Sequence, residues 1–446
     1  MYVLKFGGTS LGTARSIKKV CAIITKTNTP KIVVLSAVSG TTNTLVAILT
    51  HLKNSKKEEA IQCLKKLHAA NLEIVEELYS TMAYKEKAQL FSIAAFRTIK
   101  TWIEKYNQDN IENNILAQGE IISSNLVQLY LEESQVASTL ISALDFMEID
   151  VHKEPNTDVI ASQLIPLLES NQNLWITQGF ICKDDTGAVS NLQRGGSDYT
   201  ASLIGAAIQA VEIQIWTDID GMHNNDPRYV DNTFSIDEIS FDEAAELAYF
   251  GAKILHPQSL IPAKENNIPV LLKNTFSPES KGTIIKNKPV KNGVTAIAAK
   301  DGITAIKIKS YRMLLAYGFL KKIFEVFETY KTPIDMITTS EVAVSLTIDD
   351  ISSLSEIILE LAPFGKVEID ANLSIICVAG DFSQKKEGIS SHIFNALKGI
   401  PIRMISYGGS NYNTSLLVKT DDKIAALNAL NIGLFNEAYL LSEAID

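Results

Sequence analysis

Two short apolar runs with a single amphipathic stretch between them constrain this chain more than any other feature. Tyr2–Phe6 (YVLKF) and Lys31–Leu35 (KIVVL) are β-branched and bounded by turn residues, so both read as buried strands. Between them Ala14–Thr25 sets Ile17, Val20, Cys21 and Ile24 at helical spacing. Strand, helix, strand implies a parallel sheet, because parallel neighbours need a crossover. Further strands are expected at 174–178, 213–217 and 268–273, with helices at 197–211 and 241–251 among them. Residues 55–105 are charged, helical in period and poor in glycine, and read as a helical excursion from the sheet.

The texture changes near 280–300, where KGTIIKNKPVKNG looks like a domain joint. Beyond it the chain repeats itself. Thr332-Pro-Ile-Asp-Met-Ile337 matches Ile400-Pro-Ile-Arg-Met-Ile405, and Met336 to Met404 is a period of 68 residues. Each copy follows an amphipathic helix (319–330, 389–397) and precedes a strand (342–348, 414–418). That is too short a repeat for a solenoid, and a tandem pair of small α+β modules fits it. The expected boundaries are 1–285, 294–370 and 371–446. Two strand-like runs, VTAIAA and ITAIKIK, precede the first module's helix.

With 446 residues, 46% hydrophobic and 21% charged, the chain reads as an ordinary globular protein. A formal charge of −10 argues against nucleic acid as a main partner, which wants a basic footprint. No apolar run approaches a membrane span. Cys21, Cys63, Cys182 and Cys377 form no CxxC, which disfavours zinc and a disulfide framework and fits a reduced cytoplasm. The six histidines show no metal-ligand spacing, and no metal ligand is assigned. The opening strand has no basic-then-apolar leader, so export is not expected.

Five stretches carry chemistry. In KFGGTS (5–10), Lys5 ends a strand and Gly7-Gly8 leaves backbone N–H groups for an anion nest, with Thr9 and Ser10 placed to cap the next helix. Alone, this is a plain glycine turn, and it is no Walker loop because the lysine precedes the glycines. A second such turn, QRGGSDYT (193–200), puts Arg194 before Gly195-Gly196, with Ser197 and Asp198 at a helix start that attracts anions. Duplication raises both above surface turns: one suits phosphates, the other an acidic substrate. The strand ending at Thr217-Asp218 leads to a loop with Asp220, Gly221, Asp226 and Arg228, where α/β ligands bind. Glu120 reads as opening a helix and, by itself, as solvated; it matters if it faces an ammonium. Lys253 lies near a helix end, an ordinary place for a cation.

Together these stretches resemble the aspartate kinases of the amino-acid kinase fold. KFGGTS, SAVSGTTN (36–43), Gly119-Glu120, RGGSDYTA, WTD…DPR and FGAKILHP (250–257) run in family order through the N-terminal two-thirds, and the tandem modules resemble ACT domains. The resemblance implies an αβα sandwich with a mainly parallel sheet, followed by two βαββαβ modules. It implies phosphoryl transfer from MgATP to the side-chain carboxylate of L-aspartate, giving 4-phospho-L-aspartate, the first step towards lysine, threonine and methionine. Carried over, Lys5, Gly7 and Gly8 hold the phosphates. Ser36, Thr42, Glu120, Arg194, Gly195, Gly196 and Ser197 bind aspartate, with Arg194 clamping a carboxylate and Glu120 taking the ammonium. Asp198 orients the lysines, with Lys5, Asp198 and Lys253 the catalytic set. Thr217, Asp218, His223, Arg228, Lys253 and Ile254 line the nucleotide side. Position 223 departs from the tyrosine often found there.

The first module resembles the lysine-sensitive branch. Met313, Gly318, Phe319, Leu320, Ile334, Asp335, Thr339, Ser340 and Glu341 would hold an L-lysine effector, with Asp335 and Glu341 facing its cationic groups. Ala316 replaces the serine common in that branch. The resemblance also implies a homodimer through the modules, with strand 294–300 joining the second module's sheet. Phosphoryl transfer needs positioning and charge neutralisation more than covalent help. An aspartate carboxylate is already ionised at pH 7, so neither a catalytic base nor a phosphoenzyme is expected. A glutamate, carbamate or uridylate kinase is disfavoured by the tandem modules and by Thr42, Glu120 and Arg194. A dead amino-acid sensor is disfavoured by the intact Lys5, Arg194, Asp198 and Lys253. A dinucleotide oxidoreductase lacks its GxGxxG after the first strand. The chain ends with the second module, so no homoserine dehydrogenase domain is expected.

Overall fold

The computed structural model describes residues 1–106, 111–169, 172–192, 195–251, 255–287, 293–313, 317–382 and 388–435. The chain divides into two compact units. The first comprises Met1–Met222, Asp237–Phe241 and Leu255–Lys288; the second comprises His223–Ile236, Asp242–Ile254 and Pro289–Asp446.

The first unit is built on β1 (Tyr2–Phe6), β2 (Lys31–Leu35), β3 (Thr139–Leu140), β4 (Leu174–Gln178), the hairpin β5 (Ile181–Lys183) and β6 (Val189–Asn191), β7 (Glu212–Thr217), β8 (Glu238–Ser240), β9 (Val270–Asn274) and β10 (Thr283–Lys286). Eight strands form one sheet in the order β3-β4-β2-β1-β7-β9-β10-β8, parallel except where β10 runs against β9. Five long helices, α1 (Ala14–Thr25), α2 (Thr41–Lys53), α3 (Lys57–Leu78), α4 (Met82–Glu104) and α5 (Ile111–Glu133), share a core with Leu4, Phe6, Val33, Leu35 and Ile176. Side chains alternate along a strand, so Val3 and Lys5 face the other way. There α6 (Thr157–Leu167), α7 (Gly196–Ala207) and α9 (Ile261–Glu265) cover the sheet, completing the αβα sandwich. Burial from both sides explains why β2 is buried at every position.

Several boundaries differ from expectation for local reasons. Helix α1 is capped by Thr13, whose hydroxyl accepts from Ser16 N in a reciprocal capping box, not by Thr9 or Ser10. Those two sit in a 3-10 turn, and Ser10 Oγ lies 2.7 Å from Thr275 Oγ1. Helix α7 stops four residues before 211, because Gln209 takes a left-handed φ of 49° and turns the chain toward β7. Strand β9 starts at Val270, after Asn267 (φ 55°) ends α9.

The second unit holds α8 (Phe241–Tyr249, from Asp242 onward), β11 (Gly293–Lys309), α10 (Phe319–Thr329), β12 (Ile337–Ser340), β13 (Ala343–Ile348), α11 (Leu354–Leu361), β14 (Lys366–Asp381), α12 (Ile389–Ala396), β15 (Met404–Tyr407), β16 (Asn413–Lys419) and α13 (Lys423–Phe435). Its six-stranded antiparallel sheet runs β12-β13-β11-β14-β16-β15. VTAIAA and ITAIKIK are not two strands but one, interrupted by register shifts between Lys300 and Ala305 with Gly302 at φ 79°. Before the shift β11 pairs with the 375–381 half of β14; after it, with 366–373 and with β13. The repeat is therefore read out as two cores. One packs α10 and α11 on Ile306, Ile308, Val344 and Leu346; the other packs α12 and α13 on Ile297, Val378, Leu416 and Val418.

Candidate active site

Strands β1, β2, β4 and β7 are neighbours or near neighbours, so their carboxyl ends gather several loops at one rim of the sheet. Lys5 is the penultimate residue of β1 and projects to the α7 side. Its Nζ lies 2.7 Å from Asp198 Oδ1, with both side chains mostly buried (12% and 16% exposed). The contact is an ion pair without hydrogen-bond alignment, which leaves Asp198 Oδ1 with no hydrogen-bond partner. The glycine pair works differently from expectation. Gly7 N–H donates to Trp216 O at 3.2 Å and is not offered to a ligand. Neither Gly7 nor Gly8 has a positive φ. What they give is clearance: a Cβ at Gly7 would stand 3.4 Å from the Lys5 ammonium, and one at Gly8 3.2 Å from Ala37 O.

Glu120 does not open a helix. It lies inside α5 and is 3% exposed. Gly119 lets α5 approach the loop after β2; a Cβ there would fall 2.8 Å from Ala37 Cβ. The approach brings Ala37 N–H to Glu120 Oε1 at 3.2 Å, while Oε2 is buried with no hydrogen-bond partner. Burial pushes the carboxyl up to about 7, against the opposing pull of the Ala37 amide. One turn on, Ser123 Oγ donates to Ser36 O at 2.7 Å and fixes the same loop. Thr42, half-buried, is the second residue of α2, which follows that loop.

Ser36 Oγ donates to Ser197 Oγ at 2.9 Å, which joins this loop to the start of α7. Helix α7 begins after Gly195 (φ 75°) and Gly196 (φ 42°), conformations that favour glycine, and no side chain caps it. An uncapped N-terminus with Asp198 in its first turn offers backbone donors to an anion. Arg194, immediately before it, lies outside the described residues, as do Lys253 and Ile254. At the end of β7, Thr217 Oγ1 donates to Asp218 Oδ1 at 3.1 Å, and Thr217 O accepts from Thr275 N at 2.8 Å. His223 and Arg228 belong to the second unit. His223 Nδ1 is 3.4 Å from Thr233 Oγ1, and the exposed Arg228 guanidinium grips Asp226 through Nε and Nη2, the latter at 2.6 Å.

A buried cation–carboxylate pair, an uncapped helix start and a buried acid with one open oxygen make a site for a small zwitterion beside an anion. A model of the amino acid kinase family matches residues 1–274, and an ACT domain model matches 376–432. Lysine-sensitive aspartokinase 3 of Escherichia coli (strain K12) is 33% identical, over 97% of this chain and 99% of that protein. The chain belongs to the aspartokinases of the amino acid kinase family. Two solved structures of E. coli aspartokinase III, one in complex with lysine and aspartate (T-state) and one with aspartate and ADP (R-state), each superpose with a TM-score of 0.83 at 32% identity. Each covers 98% of this chain and 100% of that one.

Within this family frame, three positions escaped sequence reasoning. Ser123 lies one helical turn after Glu120, a spacing that could have flagged it. Gly179 follows β4, and a Cβ there would lie 2.4 Å from Ser197 Cβ, so it admits α7 to the rim. Asn274 ends β9 and donates from Nδ2 to Asp220 Oδ1 at 2.7 Å. In the second unit, Met313, Phe319 and Ile334 are partly buried and pack against the first module's core, with Phe319 edge-on to Phe364. Gly318 takes φ 77° at the start of α10, and Leu320 is exposed. Thr339 and Ser340 are exposed on the edge strand β12, with Glu341 just beyond. Asp335 is already engaged by Lys300 and Tyr249. Ala316 lies outside the described residues. Loop 223–236 is bound into the second module: Asn224 and Asn225 direct their amides to Asn431 Oδ1 at 3.0 and 3.4 Å, and Val230 joins that core. Among the described residues no helix is long and apolar enough to cross a membrane.

Proposed function

We propose that this chain transfers the γ-phosphoryl group of MgATP to the side-chain carboxylate of L-aspartate, forming 4-phospho-L-aspartate and ADP. The observation that carries this is Glu120. It is a fully buried acid with one oxygen tied to Ala37 N–H and the other unpartnered, at the same strand-end rim as the Lys5–Asp198 pair. A buried acceptor without a donor is costly, and a substrate ammonium is the donor that suits it. Family membership supports the reaction class.

In this reading a carboxylate oxygen of aspartate attacks the γ-phosphorus, the bond from that phosphorus to the bridging oxygen breaks, and ADP leaves with the electron pair. No proton has to move. Lys5 neutralises charge spread over the transferred group, and Asp198 holds the Lys5 ammonium in place. The bare backbone at Gly8 and the open start of α7 at Gly195, Gly196 and Ser197 receive anionic oxygens. Ser36, Thr42 and Arg194 orient aspartate, with Arg194 on a carboxylate. In the first unit, Thr217 and Asp218 at the end of β7 take the nucleotide side. Magnesium enters with the nucleotide and offsets phosphate charge; among the described residues no group of three acidic, histidine or cysteine side chains could hold a metal by itself.

We assign catalysis to 1–285 and regulation to 294–370 and 371–446, with L-lysine as the inhibitory effector of the first module and a homodimer through the modules. Four free cysteines suit a reducing, cytoplasmic setting. The test is ADP release from the purified full chain with MgATP, with and without L-aspartate and millimolar L-lysine. Aspartate-dependent release that lysine suppresses is expected. Release indifferent to aspartate would overturn the substrate, and release indifferent to lysine would overturn the effector.

A further inference from the structure

In the first unit, α1 and the segment after β9 enclose a cleft of about 660 Å³, a size that suits a small molecule, and none of the catalytic or substrate residues named above lines it. Its floor is the paired faces of β1 and β7. Their parallel register sets Tyr2 beside Glu212 and Leu4 beside Gln214, with Trp216 at the carboxyl end. One wall is the stripe Lys19, Ala22, Ile23 and Lys26 of α1, at helical spacing. The other is Thr275, Pro278 and Glu279. Two contacts tie the walls together: Lys26 Nζ meets Glu279 Oε1 at 2.8 Å, and Lys19 Nζ lies 5.4 Å from the centroid of the Phe276 ring. The polar groups of the floor satisfy one another, since Trp216 Nε1–H donates to Gln214 Oε1 at 3.1 Å and Gln214 Nε2 to Glu212 Oε1 at 2.8 Å. At the amino end the buried Lys31 ammonium is spent on Ile24 O and Thr27 O at 2.8 and 2.6 Å. What remains for a ligand is the Tyr2 ring, Leu4, Ile23 and an edge of Trp216. Beside them, at the carboxyl end, stand two ammoniums. One is Lys19; the other is Lys273, 5.7 Å from the centroid of the Trp216 ring and donating to Ser280 O. Among the described residues no carboxylate pairs with either, so this end of the cleft is positive in a chain of net charge −10.

We propose that this cleft is a regulatory site for a planar aromatic anion, its rings on Tyr2, Leu4 and Ile23 and its acidic group on Lys19, with Lys273 behind. Such an occupant bears on the two residues that hold the Lys5 turn from below. Trp216 O accepts from Gly7 N–H at 3.2 Å. Thr275 Oγ1 lies 2.7 Å from Ser10 Oγ, and Thr275 N–H donates to Thr217 O at 2.8 Å. Immobilising Trp216 and Thr275 preorganises that turn, so the bound anion lowers KM for MgATP. This last step rests on the phosphate reading of Lys5 given above; the binding site itself does not.

The probe is anilinonaphthalene sulfonate, titrated into the full chain by its fluorescence, with phenylnaphthylamine as the same rings without the anion. Lys19→Met keeps the aliphatic stem and loses the charge, so it weakens the sulfonate about tenfold and leaves the neutral amine within about twofold. Ala22 is an exposed helix position, so Ala22→Phe folds, fills the cleft and weakens both probes by at least about tenfold. In the ADP-release assay the sulfonate lowers KM for MgATP about threefold in wild type. It has no such effect on Ala22→Phe, whose turnover without the probe is that of wild type. A sulfonate affinity untouched by both variants would place the probe elsewhere and overturn the site. A KM for MgATP that bound sulfonate leaves unchanged, or raises as a competitor for the nucleotide's own place would, overturns the regulatory link. A chain that releases no ADP overturns the kinase reading instead, and the two titrations still decide the cleft.

Discussion

Replacing Glu120 with glutamine separates charge from shape at one buried position. The carboxyl ionises near 4.5 in the unfolded chain and near 7 in the folded one. Between those values the folded chain holds a proton that the unfolded chain has released. Stability therefore falls as pH rises through that window, and the cost is complete above about pH 8, at roughly 3 kcal/mol. The amide of glutamine keeps the size and still strands polar atoms, so Glu120→Gln recovers about 1–3 kcal/mol at pH 8 and little near pH 4.5. In a thermal melt this is a rise of several degrees at pH 8 that shrinks on acidification. Activity moves the other way. Losing a charge-assisted contact to the substrate ammonium lowers kcat/KM for aspartate by about 10- to 150-fold. Wild-type kcat/KM for aspartate climbs about tenfold from pH 6 to pH 8 as the free enzyme's Glu120 ionises, and the variant is flat over the same range. A variant no more stable than wild type at pH 8, or a wild-type profile already flat there, would refute the reasoning.

Other perturbations test the rest of the site by ADP release. Lys5→Ala should cut kcat by at least about a thousandfold while far-UV circular dichroism is retained, because it removes the cation facing the transferred group; unchanged turnover would remove the phosphate assignment. Arg194→Ala should raise KM for aspartate by about tenfold or more with KM for MgATP unmoved. An effect on MgATP alone would mean that the two glycine turns have exchanged roles. Gly179→Ala places a Cβ 2.4 Å from Ser197, so it should destabilise by about 1–3 kcal/mol and abolish turnover by shifting the start of α7. Wild-type turnover there would show that α7 need not sit so close.

Much of the fold was legible from local pattern. The first strand–helix–strand unit, the helical excursion and the 68-residue repeat are written in periodicities that one stretch of chain carries by itself, because each records which face will be buried. Of the two glycine turns, only the helix start of the second was legible, since Gly195-Gly196 leads straight into α7; at the first, Gly7 N–H pairs with Trp216 O and Thr13 caps α1. What the tertiary structure decided is the state of the charged groups. Glu120 stands on a helix whose apolar residues lie on most sides, and only the approach of the loop after β2, permitted by Gly119, makes it a buried acid ionising near 7. The electrostatic partners of Lys5 and Asp335 lie far off in the chain, at Asp198, Lys300 and Tyr249. The continuity of β11 and the anchoring of loop 223–236 on α13 likewise depend on contacts across many tens of residues. Periodicity is a property of a segment and can be read in it. Desolvation and charge pairing are properties of neighbours, and folding chooses the neighbours.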